Sequence, residues 1–150
     1  GLGDVYKRQE ETAKLFTEDG WLRSGDIVTV DQDGFLRVVD RIKEVIITGG
    51  FNVAPTEVET ALKLHDGVAD AAVVGIPNED GNETVVAAVV LEPGVSLDEA
   101  ALRQHCYDKV TRYKVPRRII AMEDLPRTML GKTLRRAVKE EILEKKLLDS

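Results

Sequence analysis

The chain has few of the features that mark secreted, membrane-spanning or disulfide-stabilised proteins. One cysteine among 150 residues cannot form an intramolecular disulfide, so the sequence gives no sign of an oxidising compartment. The longest uninterrupted apolar run, residues 85–91, is far shorter than the ~20 residues that cross a bilayer, so we expect no transmembrane segment. No charged segment followed by an apolar core opens the sequence, and we therefore expect no signal peptide.

The residues that are present have the composition of a folded globular protein. Apolar residues make up 43% and charged residues 32% of the chain. A length of 150 residues suits one domain, or one small domain with a fragment of another, and such a chain buries roughly 70% of its unfolded surface. The net charge of −6 argues against a nucleic-acid partner.

Positive charge is concentrated in two segments. Residues 109–118 contain five lysines and arginines, residues 126–136 contain four, and neither segment has an acidic residue. An acidic body with two basic stretches suits a compact anionic ligand better than a long polyanion. Two solvated basic faces would give the same pattern, and that is the commoner origin of charge runs.

Turn residues and apolar spacing predict a hairpin followed by helix, strand, strand, helix, strand and helix. Residues 28–30 and 35–39 flank an Asp-Gly turn, which is typical of a β-hairpin. Pro55 is predicted to open the first helix, and buried strands are expected at 68–76, 84–91 and 118–122. This order predicts an α+β fold with a central sheet of about three strands flanked by helices.

Two further signals predict where the later helices begin. Ser96 and Glu99 have the spacing of a capping box, which predicts a helix to about Val110. Thr133 is expected to cap the final helix. The first nine residues, GLGDVYKRQ, show no apolar periodicity and resemble a translated sequencing-library adapter, so we expect residues 1–9 to be a non-native scar.

Three segments hold residues suited to chemistry. Asp26 follows a glycine just before a strand, where a carboxylate can accept hydrogen bonds from a vicinal diol, although such an aspartate more often caps a turn. Arg41 and Lys43 precede the pair Gly49-Gly50, which lets a ligand approach the backbone closely or simply makes a tight turn.

The third segment surrounds Lys132. Gly131-Lys132-Thr133 resembles the end of a phosphate-binding P-loop, but Pro126 stands where that motif requires glycine, so we exclude a P-loop nucleotidase. Without the P-loop, the segment is interpreted as a loop in which Lys132 follows a glycine and precedes Arg135 and Arg136. A lysine there is suited to neutralising a phosphate or a carboxylate during a reaction.

The remaining candidates for chemistry are better explained as structural residues. His65 and His105 lie on predicted helices without a second ligand at metal spacing, and Cys106 lies on an apolar helix face. No Ser–His–Asp or Cys–His set is apparent, and we predict no metal site.

Taken in order, the three segments resemble the carboxyl-terminal end of the adenylate-forming (AMP-binding) superfamily. The resemblance covers residues 10–147, and DRIKEVIITGGFNVAPTEVE and LPRTMLGKTLRR are most similar to fatty acyl-CoA ligases. It implies that a carboxylic acid attacks the α-phosphate of ATP, which carries Mg²⁺, and that coenzyme A then displaces AMP. It also implies that a small C-terminal domain rotates between the two steps.

The resemblance assigns roles to individual residues. Asp26 matches the aspartate that holds the ribose hydroxyls, Arg41 matches an arginine near the ribose and phosphate, and Lys43 falls on the hinge. Lys132 matches the catalytic lysine of adenylation. A further group matches positions near coenzyme A: Gly49, Gly50, Tyr113, Lys114 and Arg117. Two positions depart from some members, since Ile47 replaces a lysine of luciferases and the turn at 77–82 lacks an aromatic residue.

The resemblance also implies a domain division. Residues 10–42 are expected to be the tail of a large N-terminal adenylation domain, and residues 43–150 the mobile C-terminal domain. Because the acyl pocket would lie in the large domain, we expect that domain to be the partner and the 150 residues alone to be inactive. The supply of ATP and coenzyme A implies a cytoplasmic enzyme. Two alternatives stay open, namely a module that loads a carrier protein and a stand-alone binding domain.

Overall fold

The structure, a computed structural model, describes residues 13–145 and residue 147. The predicted scar at residues 1–9 lies outside these residues. The first elements are the antiparallel strands β1 (Asp26–Val30) and β2 (Leu36–Arg41), which confirm the predicted hairpin. A short 3-10 turn over Ile42–Glu44 follows.

A second, shorter hairpin comes next and was not predicted. Strand β3 (Ile46–Thr48) pairs with β4 (Phe51–Val53), and each strand has only three residues. Gly49 and Gly50 form its turn with φ angles of 54° and 81°. Because both lie in the left-handed region, glycine is the residue type that fits there without strain.

A mixed sheet of three strands forms the centre of the molecule. Strand β5 (Val68–Pro77) pairs antiparallel with β6 (Glu83–Leu91), and β6 pairs in parallel with β7 (Arg118–Ala121). The strand order is therefore β5-β6-β7. The predicted α+β class with about three central strands is confirmed.

Helices cover both faces of this sheet. Helices α1 (Pro55–Lys63) and α2 (Glu99–Tyr107) pack on one face, and α3 (Arg135–Glu144) packs on the other. Alternate strand residues therefore enter different cores. Val73 packs with the first pair of helices and Val74 packs with α3. Burial on both faces explains why β5 and β6 are nearly continuous apolar runs.

Both predicted helix caps are wrong. Asp98, not Ser96, caps α2, since its Oδ1 accepts a hydrogen bond from Ala101 N at 2.9 Å. The Glu99 carboxylate instead accepts from Ile119 N at 3.0 Å, which joins α2 to β7. The helix ends at Tyr107, before the expected Val110.

Thr133 does not cap the last helix, because it is held in the preceding loop. It forms an isolated antiparallel bridge with Arg127, and Leu134 takes the N-cap position. Leu134 N donates to Pro126 O at 2.7 Å, so the loop at 126–134 closes on itself before α3 begins.

One glutamate joins β3 to the central sheet. Glu83 Oε2 accepts a hydrogen bond from Ile47 N at 3.1 Å, and Glu83 Oε1 lies 3.3 Å from Lys139 Nζ. The side chain passes over Gly75, where a Cβ atom would lie 2.6 Å from Glu83 Cδ. Glycine at position 75 therefore leaves the space that the carboxylate occupies.

We expect Gly75→Ala to destabilise the protein by about 1–2 kcal/mol, because the new methyl group displaces Glu83 from Ile47. Glu83→Ala removes the same contacts, so the double variant should lose little more than either single variant. Chemical denaturation measures all three free energies of unfolding, with Glu92→Ala, an exposed glutamate just after β6, as the control. Fully additive losses would show that Gly75 does not act through Glu83.

Candidate active site

Three residues singled out in the sequence line one cavity. Asp26 begins β1, Arg41 ends β2, and Lys132 lies on the loop before α3, yet all three border a cavity of about 770 Å³. The strand register places Asp26 directly opposite Arg41, and Arg41 Nε lies 3.4 Å from Asp26 Oδ1. A carboxylate and two cationic groups thus share a space of the size that small ligands occupy.

The loop that carries Lys132 is a closed turn. Thr128 N donates to Lys132 O at 2.7 Å, and Gly131 N donates to Thr128 O at 2.9 Å. Lys132 N donates to Thr128 Oγ1 at 3.1 Å. Among residues 13–145, no carboxylate forms an ion pair with the Lys132 ammonium group, so its charge is available to a ligand.

Arg135 lies behind this loop and joins several elements. It forms a bidentate pair with Glu59, with Nε to Oε1 and Nη2 to Oε2 both 2.7 Å. Its Nη2 also donates to Thr56 Oγ1 at 2.7 Å, and its Nη1 donates to Asp40 Oδ1 at 3.1 Å and to Glu44. Burial acts to lower the pKa of Arg135, but the hydrogen bonds and charges of these carboxylates raise it above its ordinary value.

Asp40 is the most buried carboxylate of this group, with a side chain only 2% exposed. Its Oδ2 accepts from Thr56 N at 2.9 Å, and its Oδ1 accepts from Arg41 N at 2.9 Å. Burial acts to raise the pKa of Asp40, but the hydrogen bonds from Thr56 and Arg41 and the charge of Arg135 lower it below the ordinary 3.8.

Sequence reasoning missed Asp40 and Glu59. Glu59 adjoins Val58 on α1, is 8% exposed, and accepts a hydrogen bond from Val73 N at 2.9 Å. A charged residue beside apolar helix positions is a signal for a buried ion pair, but it does not identify the partner. That partner, Arg135, lies 76 residues further along the chain.

Lys43 lies apart from the cavity that contains Lys132. It sits in the 3-10 turn between the first hairpin and the rest of the fold. It lines a separate space of about 300 Å³ together with Glu83, Arg136 and Lys139. The hinge role that the resemblance implies for Lys43 stays a prediction.

The glycine turn and the basic segment at 112–114 meet on the surface. Phe51, which follows Gly49 and Gly50, stacks on Tyr113 with ring centroids 4.5 Å apart and planes inclined by 20°. Sequence reasoning looked for an aromatic residue in the turn at 77–82 and so missed Phe51. The signal was present, because Phe51 directly follows the glycine pair.

The two cations predicted beside this surface differ in their contacts. Lys114 Nζ donates to both carboxylate oxygens of Glu57, at 2.8 and 2.7 Å, and its side chain is 17% exposed. Its charge is therefore balanced within the protein. Arg117 lies just before β7 with an exposed side chain, while its backbone N–H donates to Val85 O at 2.8 Å.

Both histidines and the cysteine have structural surroundings. His105 Nε2 lies 3.0 Å from Ala61 O, and Gly67 N donates to His65 Nδ1 at 3.1 Å. Burial raises the pKa of the Cys106 thiol to about 11. Within the part of the chain that the structure describes, no group of three or more His, Cys, Asp or Glu residues could hold a metal ion. No helix there is long and apolar enough to cross a bilayer.

The fold and the cavity define a small α+β domain that presents a lysine loop beside a carboxylate–guanidinium pair. A family model described as the AMP-binding enzyme C-terminal domain matches residues 57–132. The chain belongs to this family, which confirms the resemblance seen in the sequence.

Similar proteins are CoA ligases of different acids. The chain is 46% identical over 136 residues to a long-chain-fatty-acid–CoA ligase of Yersinia pestis, covering 91% of this chain and 24% of that enzyme. It is 44% identical over 134 residues to a sulfoacetate–CoA ligase of Cupriavidus necator, covering 89% of this chain and 26% of that enzyme. The chain thus spans about a quarter of the length of these relatives.

A solved structure shows the same fold with a nucleotide bound. It is the o-succinylbenzoate coenzyme A synthetase of Bacillus subtilis in complex with ATP and a magnesium ion. The sequences are 34% identical, the TM-score is 0.77, and the match covers 87% of this chain and 26% of the synthetase.

Stability should depend on pH through Cys106. The folded-state pKa of about 11 lies above the ordinary 9.0, so the unfolded thiol ionises first as the pH rises. Stability from the buried neutral thiol is therefore full below pH 9 and is lost between pH 9 and about 11, by about 2–3 kcal/mol. Denaturation curves at several pH values should show this extra loss in the parent chain and not in Cys106→Ala. If the free energy of unfolding changed with pH in the same way in both chains, Cys106 would not be the source of the loss.

Proposed function

We propose that this chain is the C-terminal part of an AMP-forming acyl-CoA ligase. In such an enzyme an acid and ATP give acyl-adenylate and pyrophosphate, and coenzyme A then takes the acyl group and releases AMP. The observation that carries the proposal is the convergence of Asp26, Arg41 and Lys132 on one cavity. The relatives named for CoA ligation support the reaction class.

Asp26 and Arg41 fit the sugar and phosphate of a nucleotide. The Asp26 side chain is 25% exposed, so its oxygens can accept hydrogen bonds from two neighbouring ribose hydroxyls. Arg41 is 70% exposed beside it and can turn toward a phosphate. We place the magnesium ion that accompanies ATP in the large domain.

Lys132 is the group that supports adenylation. As the carboxylate of the acid approaches the α-phosphate of ATP, two negative charges come together and the barrier rises. An ammonium group on a closed turn, without a carboxylate partner in the described chain, can offset that charge. We assign Lys132 to this role.

The first hairpin offers a surface for the large domain. Large apolar side chains on this hairpin and in the segment just before it are exposed, with Trp21 at 72%, Phe35 at 73% and Leu36 at 69%. Exposed apolar side chains of this size in one segment are typical of an interface with another part of a protein. We propose that residues 10–42 belong to the large N-terminal domain, that residues 43–150 form the mobile domain, and that Lys43 is the hinge.

The thiol substrate is assigned to the surface around the second hairpin. We propose that coenzyme A passes the turn at Gly49 and Gly50 and that its nucleotide meets Tyr113 and Arg117, with Phe51 extending the aromatic surface. Lys114 is the weaker electrostatic contributor, since Glu57 balances its charge. The acid is a carboxylic acid and, by resemblance, a fatty acid, and the enzyme is cytoplasmic because ATP and coenzyme A are supplied there.

A chimera tests the proposed function. It joins the large domain of the Yersinia pestis ligase to the matching C-terminal quarter from this chain. We expect AMP release that depends on a long-chain fatty acid, and acyl-CoA as the product. The isolated 150-residue chain, assayed alongside, should release no AMP. A folded chimera that catalyses neither half-reaction would contradict the proposal. If the acyl group were transferred only to a carrier-protein thiol, the carrier protein and not coenzyme A would be the acceptor.

Lys132→Ala in the chimera should lower the rate of adenylation by about 100- to 1000-fold, because the loop then lacks the ammonium group that offsets the charge of the two approaching anions. Thioester formation from synthetic acyl-adenylate should fall less than about threefold, because the α-phosphate is already acylated. Single-turnover assays of each half-reaction measure this difference. Lys145→Ala, at an exposed lysine after α3, is the control. Equal losses of rate in both half-reactions of Lys132→Ala would contradict the role assigned to Lys132.

Tyr113→Ala should raise the KM for coenzyme A about tenfold, since stacking of a base on an aromatic ring contributes about 1–3 kcal/mol. The adenylation rate should not change. Tyr107→Ala is a matched control, because Tyr107 and Tyr113 are 40% and 38% exposed. Steady-state assays with varied coenzyme A measure this KM. An unchanged KM in Tyr113→Ala would show that the coenzyme A nucleotide does not bind at Tyr113.

A further inference from the structure

We propose that Asp40 is a positioning residue that fixes the orientation in which Lys132 faces Asp26 and Arg41. Its hydrogen bonds to Thr56 and Arg135, called here the Asp40 latch, connect the first hairpin to the two helices beyond the hinge. The inference rests on the proposed function for the position of the hinge at Lys43. Asp40 acts through other residues and is not assigned a contact with substrate.

Both hydrogen bonds of the Asp40 latch join residues on opposite sides of the hinge. Asp40 ends the buried part of β2, three residues before Lys43, whereas Thr56 and Arg135 follow it in the sequence. The distances are 2.9 Å from Thr56 N to Asp40 Oδ2 and 3.1 Å from Arg135 Nη1 to Asp40 Oδ1. Hydrogen bonds weaken steeply with distance and angle, so a rotation at Lys43 must break both.

The bond to Thr56 also completes the start of α1. The N-cap residue of this helix, Ala54, has no side-chain acceptor, and Thr56 N is one of the first free N–H groups. A carboxylate is favoured there because it meets the positive end of the helix dipole. Asp40 thus provides from the hairpin the cap that α1 lacks in its own sequence.

The contact between the hairpin and α1 also contains an open space. Val38 and Val39 of β2 and Thr60 and Leu64 of α1 line this space of about 460 Å³. Apolar packing there is incomplete, so the polar bonds of Asp40 carry much of the orientation. Without Asp40, Arg135 keeps its bidentate pair with Glu59, and the small domain keeps its own packing.

Asp40 also orients Arg41. Its Oδ1 accepts a hydrogen bond from Arg41 N at 2.9 Å, directly beside the cavity. The same carboxyl group therefore fixes the backbone that carries Arg41 and the helix that follows Lys132. Loss of the Asp40 latch would therefore release both the Arg41 side and the Lys132 side of the cavity.

A distance measurement in the 150-residue chain tests this inference. Spin labels at Thr29→Cys on β1 and Glu140→Cys on α3 report the orientation by pulsed electron resonance. Cys106 stays unlabelled, because it is fully buried. We expect one narrow distance distribution in the parent. In Asp40→Ala the ratio of that conformer to all others should fall about 30-fold, the change that two lost hydrogen bonds of ordinary strength produce.

Three variants make the measurement decisive. Asp33→Ala, an exposed aspartate on the hairpin turn, should keep the parent distance, and Asp40→Glu should restore part of the narrow population. An unchanged distribution in Asp40→Ala, or the same broadening in Asp33→Ala, would overturn the proposal. If Asp40→Ala and Asp40→Asn both unfold the central sheet by circular dichroism, Asp40 is a stability residue and the proposal also fails.

The half-reactions of the chimera give a second readout. Asp40→Asn should slow adenylation about tenfold and leave thioester formation from acyl-adenylate within about twofold, because only adenylation uses this orientation. Equal losses in both steps would overturn the positioning role. A chimera that is inactive in every form would count against the proposed function, whereas the label distances would still decide the inference about Asp40.

Discussion

The arrangement around the cavity depends on the guanidinium group of Arg135. A planar group with five donors can bind several carboxylates at fixed angles, and Arg135 binds Glu59 with two of its nitrogens and Asp40 and Glu44 with the third. Through these contacts the start of α3, the middle of α1 and the end of β2 share one centre. The lysine loop is placed by this centre, since Lys132 precedes Arg135 by three residues.

The central sheet supplies the rigid support for that centre. Strands β5 and β6 are buried on both faces, and helices on each side exclude water from their backbone hydrogen bonds. Glu59 transmits this support directly, because it binds Arg135 and also accepts a hydrogen bond from Val73 in β5. The side chain of Arg135 is thus attached, through Glu59, to the buried central sheet.

Local patterns in the sequence were sufficient to predict most of the fold. The Asp-Gly turn, the apolar runs and Pro55 gave the first hairpin, the three central strands and α1 at nearly their observed positions. The caps at Ser96 and Thr133 were wrong because tertiary contacts took precedence: Glu99 bonds to β7, and Thr133 bridges Arg127. The three-residue strand β4 was too short to show any periodicity.

The candidate site was predictable only in part. The order of the motifs predicted that Asp26, Arg41 and Lys132 serve one reaction. Their position around one cavity could be seen only in the folded chain. The pairing of Asp40 with Arg135 joins positions 95 residues apart, and no local pattern records such a pair. The stack of Phe51 on Tyr113 has the same origin, since two surface segments meet only after the sheet has formed.

The closed turn around Lys132 has a consequence for how this lysine would meet an anion. Three hydrogen bonds to and from Thr128 already order its backbone, so meeting an anion costs conformational entropy only in the lysine side chain. If the domain rotates as proposed, this loop would move as a rigid arm, and its reach would be set by the angle through which the whole domain turns. Under the proposed function, the rate at which Lys132 reaches its substrate would follow the slow motion of a body of about a hundred residues and not the fast closing of a loop.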